Sequence, residues 1–106
     1  MQLRRVLNHI ETRLNQDLGL ADLAAMAGVS THHFGQAFKI STGVPPHRYL
    51  IDRRIHRVKE MLHEGERTIA EIAATVGFSS QSHMTLNFRK ITGVTPGRYR
   101  REVVEG

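Results

Sequence analysis

Residues 69–100 read IAEIAATVGFSSQSHMTLNFRKITGVTPGRYR, and the punctuation of that stretch decides the fold. Ile69, Ile72, Ala73 and Val76 recur at the spacing of a helix that buries one face. Thr68 with Glu71 forms a capping-box pattern before that helix, and Gly77 supplies the residue able to take positive φ at its end. Ser79 or Ser80 then caps a second helix, with Met84, Phe88 and Ile91 turned inward. Thr92-Gly93-Val94 closes it, and Pro96 is suited to the first turn of another. A short helix, a Gly-containing turn and a second capped helix make the helix-turn-helix pattern.

The pattern occurs twice. Residues 30–49 match residues 80–99 through Ser30/Ser80, His33/His83, Phe38/Phe88, Thr42/Thr92, Gly43/Gly93, Val44/Val94, Pro46/Pro96, Arg48/Arg98 and Tyr49/Tyr99. Upstream, LADLAAMAGVS at 20–30 matches IAEIAATVGFS at 69–79 in a register shorter by one, so the second copy carries an extra residue at the Ser79-Ser80 junction. Two copies are too few for a solenoid and indicate a duplicated module. Leu20, Leu23, Ala24 and Ala27 form the first stripe, Gly28 ends that helix and Ser30 caps the next. Phe34, Ala37, Phe38 and Ser41 are expected to face inward from the second helix of this copy. Tyr49 and Tyr99 are expected to fold back onto their modules as packing residues.

Between the copies, PPHRYLIDRRIHRVKEMLHEG has Pro46 at the start, a stripe at Ile51, Ile55, Val58 and Leu62, and Gly65 after the end. A helix of roughly 18 residues is a rod of about 27 Å, comparable with one DNA turn of about 34 Å. A helix at the N-terminus has its own stripe at Leu3, Val6, Leu7, Ile10 and Leu14, a short seventh follows Pro96, and no strand pattern survives. The expected fold is all-α, with subdomains at 1–45 and 65–106 joined by a linker helix at 46–64.

Charge is unevenly placed. The net charge is +5 and the pI about 10.4. Arg4, Arg5 and Arg13 balance Glu11, Asp17 and Asp22 up to residue 38, so the excess lies beyond it. Basic excess of this kind favours a polyanion partner. The chain has no cysteine, which excludes a disulfide framework and thiolate metal sites. Its first residues alternate charged and apolar side chains where a signal peptide needs an apolar run, and no stretch resembles a membrane span. A cytoplasmic protein with no membrane partner is expected.

With these residues in place, the chain resembles the DNA-binding domain of AraC/XylS-type bacterial transcription regulators over about residues 3–101. The most specific part is Ile69-Ala70, Gly77-Phe78, the Ser80-Gln81-Ser82-His83 start, Phe88-Arg89-Lys90, Thr92-Gly93, and Pro96 with Tyr99-Arg100. The resemblance implies seven helices in two homeodomain-like helix-turn-helix subdomains, and two recognition helices entering successive major grooves of double-stranded DNA. It also implies contact with RNA polymerase.

Helical spacing leaves Thr31, His32, Gly35, Gln36 and Lys39 outward in the first copy, and Gln81, Ser82, Thr85, Leu86 and Arg89 in the second. An α-helix fits the major groove, where outward residues reach base edges. Gln36 and Gln81 offer the paired donor and acceptor that match adenine, His32 and Ser82 donate or accept, and Thr85 and Leu86 offer methyl groups to thymine. Thr31 and Gly35 complete the expected base-reading set. Lys39, Arg48, Arg89 and Arg98, at helix ends or flanks, suit phosphates. Arg53, Arg54 and Arg57 serve either phosphate or a solvated face with local ion pairs. Many members of the family carry Arg where this chain has Gln36 and Leu86, so these positions are expected to favour A and T over G. Because Gly35 and Gln36 stand against Thr85 and Leu86, the two readers are unequal. A monomer on a directional site is expected, rather than a homodimer on a palindrome.

Rival functions are weaker in the residues. His32 and His33 are adjacent, His56 and His63 are two turns apart, and no His-x-x-x-His pair, nucleophile elbow or phosphate loop occurs. Neither an enzyme nor a metal or other cofactor is expected, and His33 and His83 are read as structural hydrogen-bonding residues. The alternative is a helical protein-interaction module without DNA binding, which has little reason to keep positive charge around both second helices.

Overall fold

The computed structural model describes residues 2–105 and the side chains through Val103. Met1 and Gly106, the outer bounds of the expected subdomains, lie outside the described residues. The helices run α1 Leu3–Thr12, α2 Leu20–Ala27, α3 Thr31–Thr42, α4 Pro46–Glu64, α5 Ile69–Val76, α6 Gln81–Thr92 and α7 Pro96–Arg100, followed by a π-helical turn at Arg101–Glu105. There is no strand among the described residues. The chain divides into two compact units between Ile51 and Asp52, inside α4.

In the first unit, Val6, Ile10, Leu23, Ala24, Phe34, Phe38 and Leu50 form the core, with Leu3, Leu7 and Leu14 packed against it. Leu14 does so from beyond the end of α1. In the second unit, Ile55, Val58, Leu62, Ile72, Met84 and Phe88 are all essentially excluded from water. The α4 stripe read from spacing is therefore buried, and it includes one charged residue. Arg54 is only 8% exposed, and its guanidinium carbon lies 5.9 Å from the Phe78 ring centroid. That is cation–π geometry inside a packed unit, not a solvated face.

The helix boundaries follow local chemistry. Gly28 and Gly77 adopt φ of 75° and 103° at the ends of α2 and α5, a conformation in which any Cβ is disfavoured. Ser30 and Ser80 accept hydrogen bonds from the backbone N–H of His33 and His83, so the second serine of the Ser79-Ser80 pair is the cap. The Thr-Gly-Val phrase is a repeated stop. The Thr42 hydroxyl lies 2.9 Å from the carbonyl oxygens of both Phe38 and Val44, and Thr92 makes the same pair with Phe88 and Val94 at 2.8 and 3.0 Å. A hydroxyl has one proton to donate, so each threonine bonds one of its two carbonyls at a time, and the pair holds the last turn of the helix against the residue beyond the glycine. The chain then turns through Gly43 or Gly93 at φ of 89° or 85°.

The tyrosines pack as expected. Tyr49 meets Phe38 edge-on at 5.4 Å between centroids, and Tyr99 meets Phe88 at 5.5 Å. Tyr99 also places its hydroxyl 3.3 Å from His63 Nε2.

The copies differ in how their first helices begin. Thr68 accepts from the Glu71 N–H at 3.1 Å, and its hydroxyl donates to the Glu71 carboxylate at 3.0 Å. At the start of α2, Gly19 offers no side-chain cap. Thr68→Ala should therefore destabilise the second unit by about 1 kcal/mol, the ordinary value of such a cap. Urea unfolding followed by circular dichroism measures it, and an unchanged midpoint would show that the cap is dispensable.

Candidate nucleic-acid interface

Each unit presents its second helix in the same way. The buried face of α3 is Phe34 and Phe38, and that of α6 is Met84 and Phe88. Both pairs are anchored i to i+4, which turns the remaining faces outward. On α6 the outward residues share one concave surface. Gln81, Ser82, Thr85, Leu86 and Arg89 line a single shallow depression. Gln81, Ser82, Leu86 and Arg89 are exposed, and Thr85 is half-buried. All four base-reading positions expected in the second copy are thus brought together with one of the expected phosphate ligands.

On α3, Thr31, His32, Gln36 and Lys39 are exposed. Gly35 is half-buried and sits in the wall of an apolar cavity of about 390 Å³ with Leu20, Leu23, Pro46 and His47. A Cβ at Gly35 would meet nothing within 4 Å, so this glycine leaves space rather than permitting a close contact. Ser41 corrects the spacing argument: it is exposed, not inward. The helix closes one residue later at Thr42, and its last turn has already left the core. Ile40 was not singled out by spacing, yet it is 85% exposed one turn beyond Gln36. Its counterpart in α6 is Lys90, also exposed.

The basic residues differ in availability. Lys39 and Arg89 are exposed in the last turns of α3 and α6. Arg48 is exposed in the first turn of α4. Arg98 is exposed too, but its Nε donates to Glu102 Oε1 at 2.9 Å, with both side chains more than half in water. Exposed pairs of this kind are worth about 0–1 kcal/mol, so Glu102 holds Arg98 only weakly. Glu102→Gln should raise DNA affinity by up to about fivefold, the equivalent of the top of that range, in an anisotropy titration at low salt. A loss of affinity would contradict this.

The turn before α6 has support that the turn before α3 lacks. His83 Nδ1 is hydrogen-bonded to Ser79 Oγ at 3.2 Å, and its ring stacks edge-on against Phe78 at 5.4 Å. Ser79 is at the junction where the second copy is one residue longer, so His33 has no equivalent hydroxyl beside it. The structural role expected of both histidines is therefore seen in the ring of His83 alone, among the described residues. Also among the described residues, no group of three His, Cys, Asp or Glu side chains is placed to hold a metal ion. No described helix is long and apolar enough to cross a membrane.

Residues 23–102, from within α2 to just past α7, match the family model described as a helix-turn-helix domain. The chain is 39% identical to the Tn10 transposon TetD protein of Escherichia coli, over 93% of this chain and 72% of that protein. A putative AraC-like transcription regulator of Streptomyces lividans is 39% identical over 77% of the chain and 27% of its own length. This chain belongs to the AraC-type helix-turn-helix family. Among solved structures, the DNA-binding domain of AdpA, a global transcriptional factor crystallised with a target DNA, superposes with a TM-score of 0.90. It is 28% identical, over 94% of this chain and 90% of that one. The AraC-type chain spans 27% to 38% of the length of several curated relatives that it matches. Its fold is that of the AdpA DNA-binding domain, with seven α-helices among the described residues that include two helix-turn-helix modules.

Proposed function

We propose that this AraC-type domain is a transcription regulator's reader of double-stranded DNA, with α3 and α6 entering successive major grooves of an asymmetric site. The observation that carries the reading is the single concave face on which α6 gathers Gln81, Ser82, Thr85, Leu86 and Arg89. A helix in the major groove needs that combination: amide and hydroxyl groups toward base edges, apolar groups toward thymine and a cation at the flank. On α3 the base-reading residues are Thr31, His32, Gly35 and Gln36. Lys39, Arg48, Arg89 and Arg98 hold phosphates and set register. The target-bound AdpA domain supports DNA as the ligand.

Inequality of the readers supports a directional site bound by one chain. Gln36 stands where α6 has Leu86, and Gly35 where it has Thr85. Identical readers suit a palindrome; these do not. RNA polymerase is the second partner we propose, through surfaces away from the reading faces; we also propose reading subdomains at 1–45 and 65–106 joined by the helix 46–64, whose two ends belong to the two compact units.

Selection of bound duplexes from a random library at about 0.15 M salt tests the function, since weak nonspecific binding is suppressed there. Two dissimilar motifs centred about 10 base pairs apart are expected, with A or T opposite Gln36 and Leu86. A palindrome would overturn the monomeric reading. No enrichment would favour a protein-interaction module.

A further inference from the structure

Leu86 is 54% exposed on a helix whose buried face is already supplied by Met84 and Phe88. The core of the second unit therefore gains little from it. Around it stand Gln81, Ser82, Thr85 and Arg89, so it is the one large aliphatic side chain in an otherwise polar depression. Thr85, beside it in sequence and half-buried, carries a methyl group of its own on the same surface. Apolar area left in water forgoes hydrophobic stabilisation that an apolar partner would restore. In the major groove the apolar group that an unmodified base pair presents is the thymine C5-methyl. Cytosine methylated at C5 presents the same group in the same place, because the modified carbon is the one that carries the thymine methyl.

The first copy offers no such surface at the corresponding position. Gln36 replaces Leu86, and Gly35 replaces Thr85. A glutamine reads by donating and accepting hydrogen bonds, whereas leucine can do neither. Leu86 is consequently blind to the groups that separate thymine from cytosine, the O4 acceptor and the N4 donor. It responds to the methyl alone.

Resting on the DNA-binding reading above, we propose that α6 recognises a C5-methyl pyrimidine through Leu86, with Thr85 alongside. The ligand is thymine in unmodified DNA and 5-methylcytosine where cytosine carries the methyl group. The half-site read by α6 then responds to the methylation state of the DNA. The position facing Gln36 does not.

The test uses the intact chain and the duplex it selects. Each thymine of the half-site assigned to α6 is replaced singly by deoxyuridine, which removes the methyl and nothing else. At the responsive position, a second pair of duplexes carries cytosine or 5-methylcytosine opposite guanine. Within each pair the methyl should raise affinity by about fourfold, the equivalent of burying one methylene-sized group. Leu86→Ala should flatten both comparisons while leaving the helical circular dichroism unchanged, because the side chain lies outside the core. The inference is overturned if thymine and uracil bind equally at every position, or if the fourfold gap survives Leu86→Ala. A chain that selects no duplex at all would instead overturn the DNA-binding reading, and this inference with it.

Discussion

Phe88→Ala should destabilise the second unit by about 3–5 kcal/mol. Phe88 is fully buried and stacks edge-on against Tyr99 at 5.5 Å. Its carbonyl accepts the Thr92 hydroxyl at 2.8 Å, so the ring sits where the end of α6 is tied to the turn into α7. Truncation opens a cavity among side chains already fixed by the backbone, and it removes an aromatic pair worth about 0.5–1.5 kcal/mol. Against a typical total of about 5–15 kcal/mol for a whole domain, that is a large fraction. Urea unfolding read by far-ultraviolet circular dichroism should show loss of helix at much lower denaturant. A change below about 1 kcal/mol would mean that the unit relaxes around the missing ring, and that this packing does not hold α6 in place.

The second large effect is on recognition. Gln36→Ala and Gln81→Ala should each weaken binding to the selected site by about 5- to 150-fold, the equivalent of one lost bidentate base contact of about 1–3 kcal/mol. Both glutamines are exposed, so their loss leaves the cores intact. Lys39→Ala is the contrasting variant. It should weaken specific and scrambled duplexes alike and reduce the salt slope by roughly one unit, because a phosphate contact carries no sequence information. Anisotropy titrations on both duplexes separate the cases. Equal losses on specific and scrambled DNA for the glutamine variants would remove them from the reading set.

What could be read from the sequence was mostly punctuation. The glycines at 28, 43, 77 and 93, the serines at 30 and 80 and the prolines at 46 and 96 act locally, through φ, capping and a missing donor, so their effect needs no tertiary information. Periodicity also found most of the buried faces, but Leu20, which spacing puts in the α2 stripe, is 41% exposed at the first position of its helix, where the buried face is Leu23 and Ala24. Periodicity misplaced Ser41 because a stripe extrapolated along a helix does not reveal where the core stops. It left Arg54 open, although Ile51 precedes it by three residues and Val58 follows by four on the same buried face. The decisive fact there is the Phe78 ring, contributed by a distant turn. For the interface, spacing identified the outward residues of α6. It gave no sign that Gly35 borders a cavity, because a cavity depends on how Leu20, Pro46 and His47 converge from other helices. The Arg98–Glu102 pair was equally hidden, since it requires the chain to continue in a helical turn after Arg100.

The central claim is that two unequal readers in one chain recognise one directional site. The most direct measurement takes the selected duplex, inverts one of its two half-sites while keeping composition and spacing, and records both affinity and the mass of the complex. One chain per duplex, with inversion weakening binding by roughly a hundredfold as one set of base contacts is lost, is the expected result. Two chains per duplex, or affinity unchanged on inversion, would contradict it.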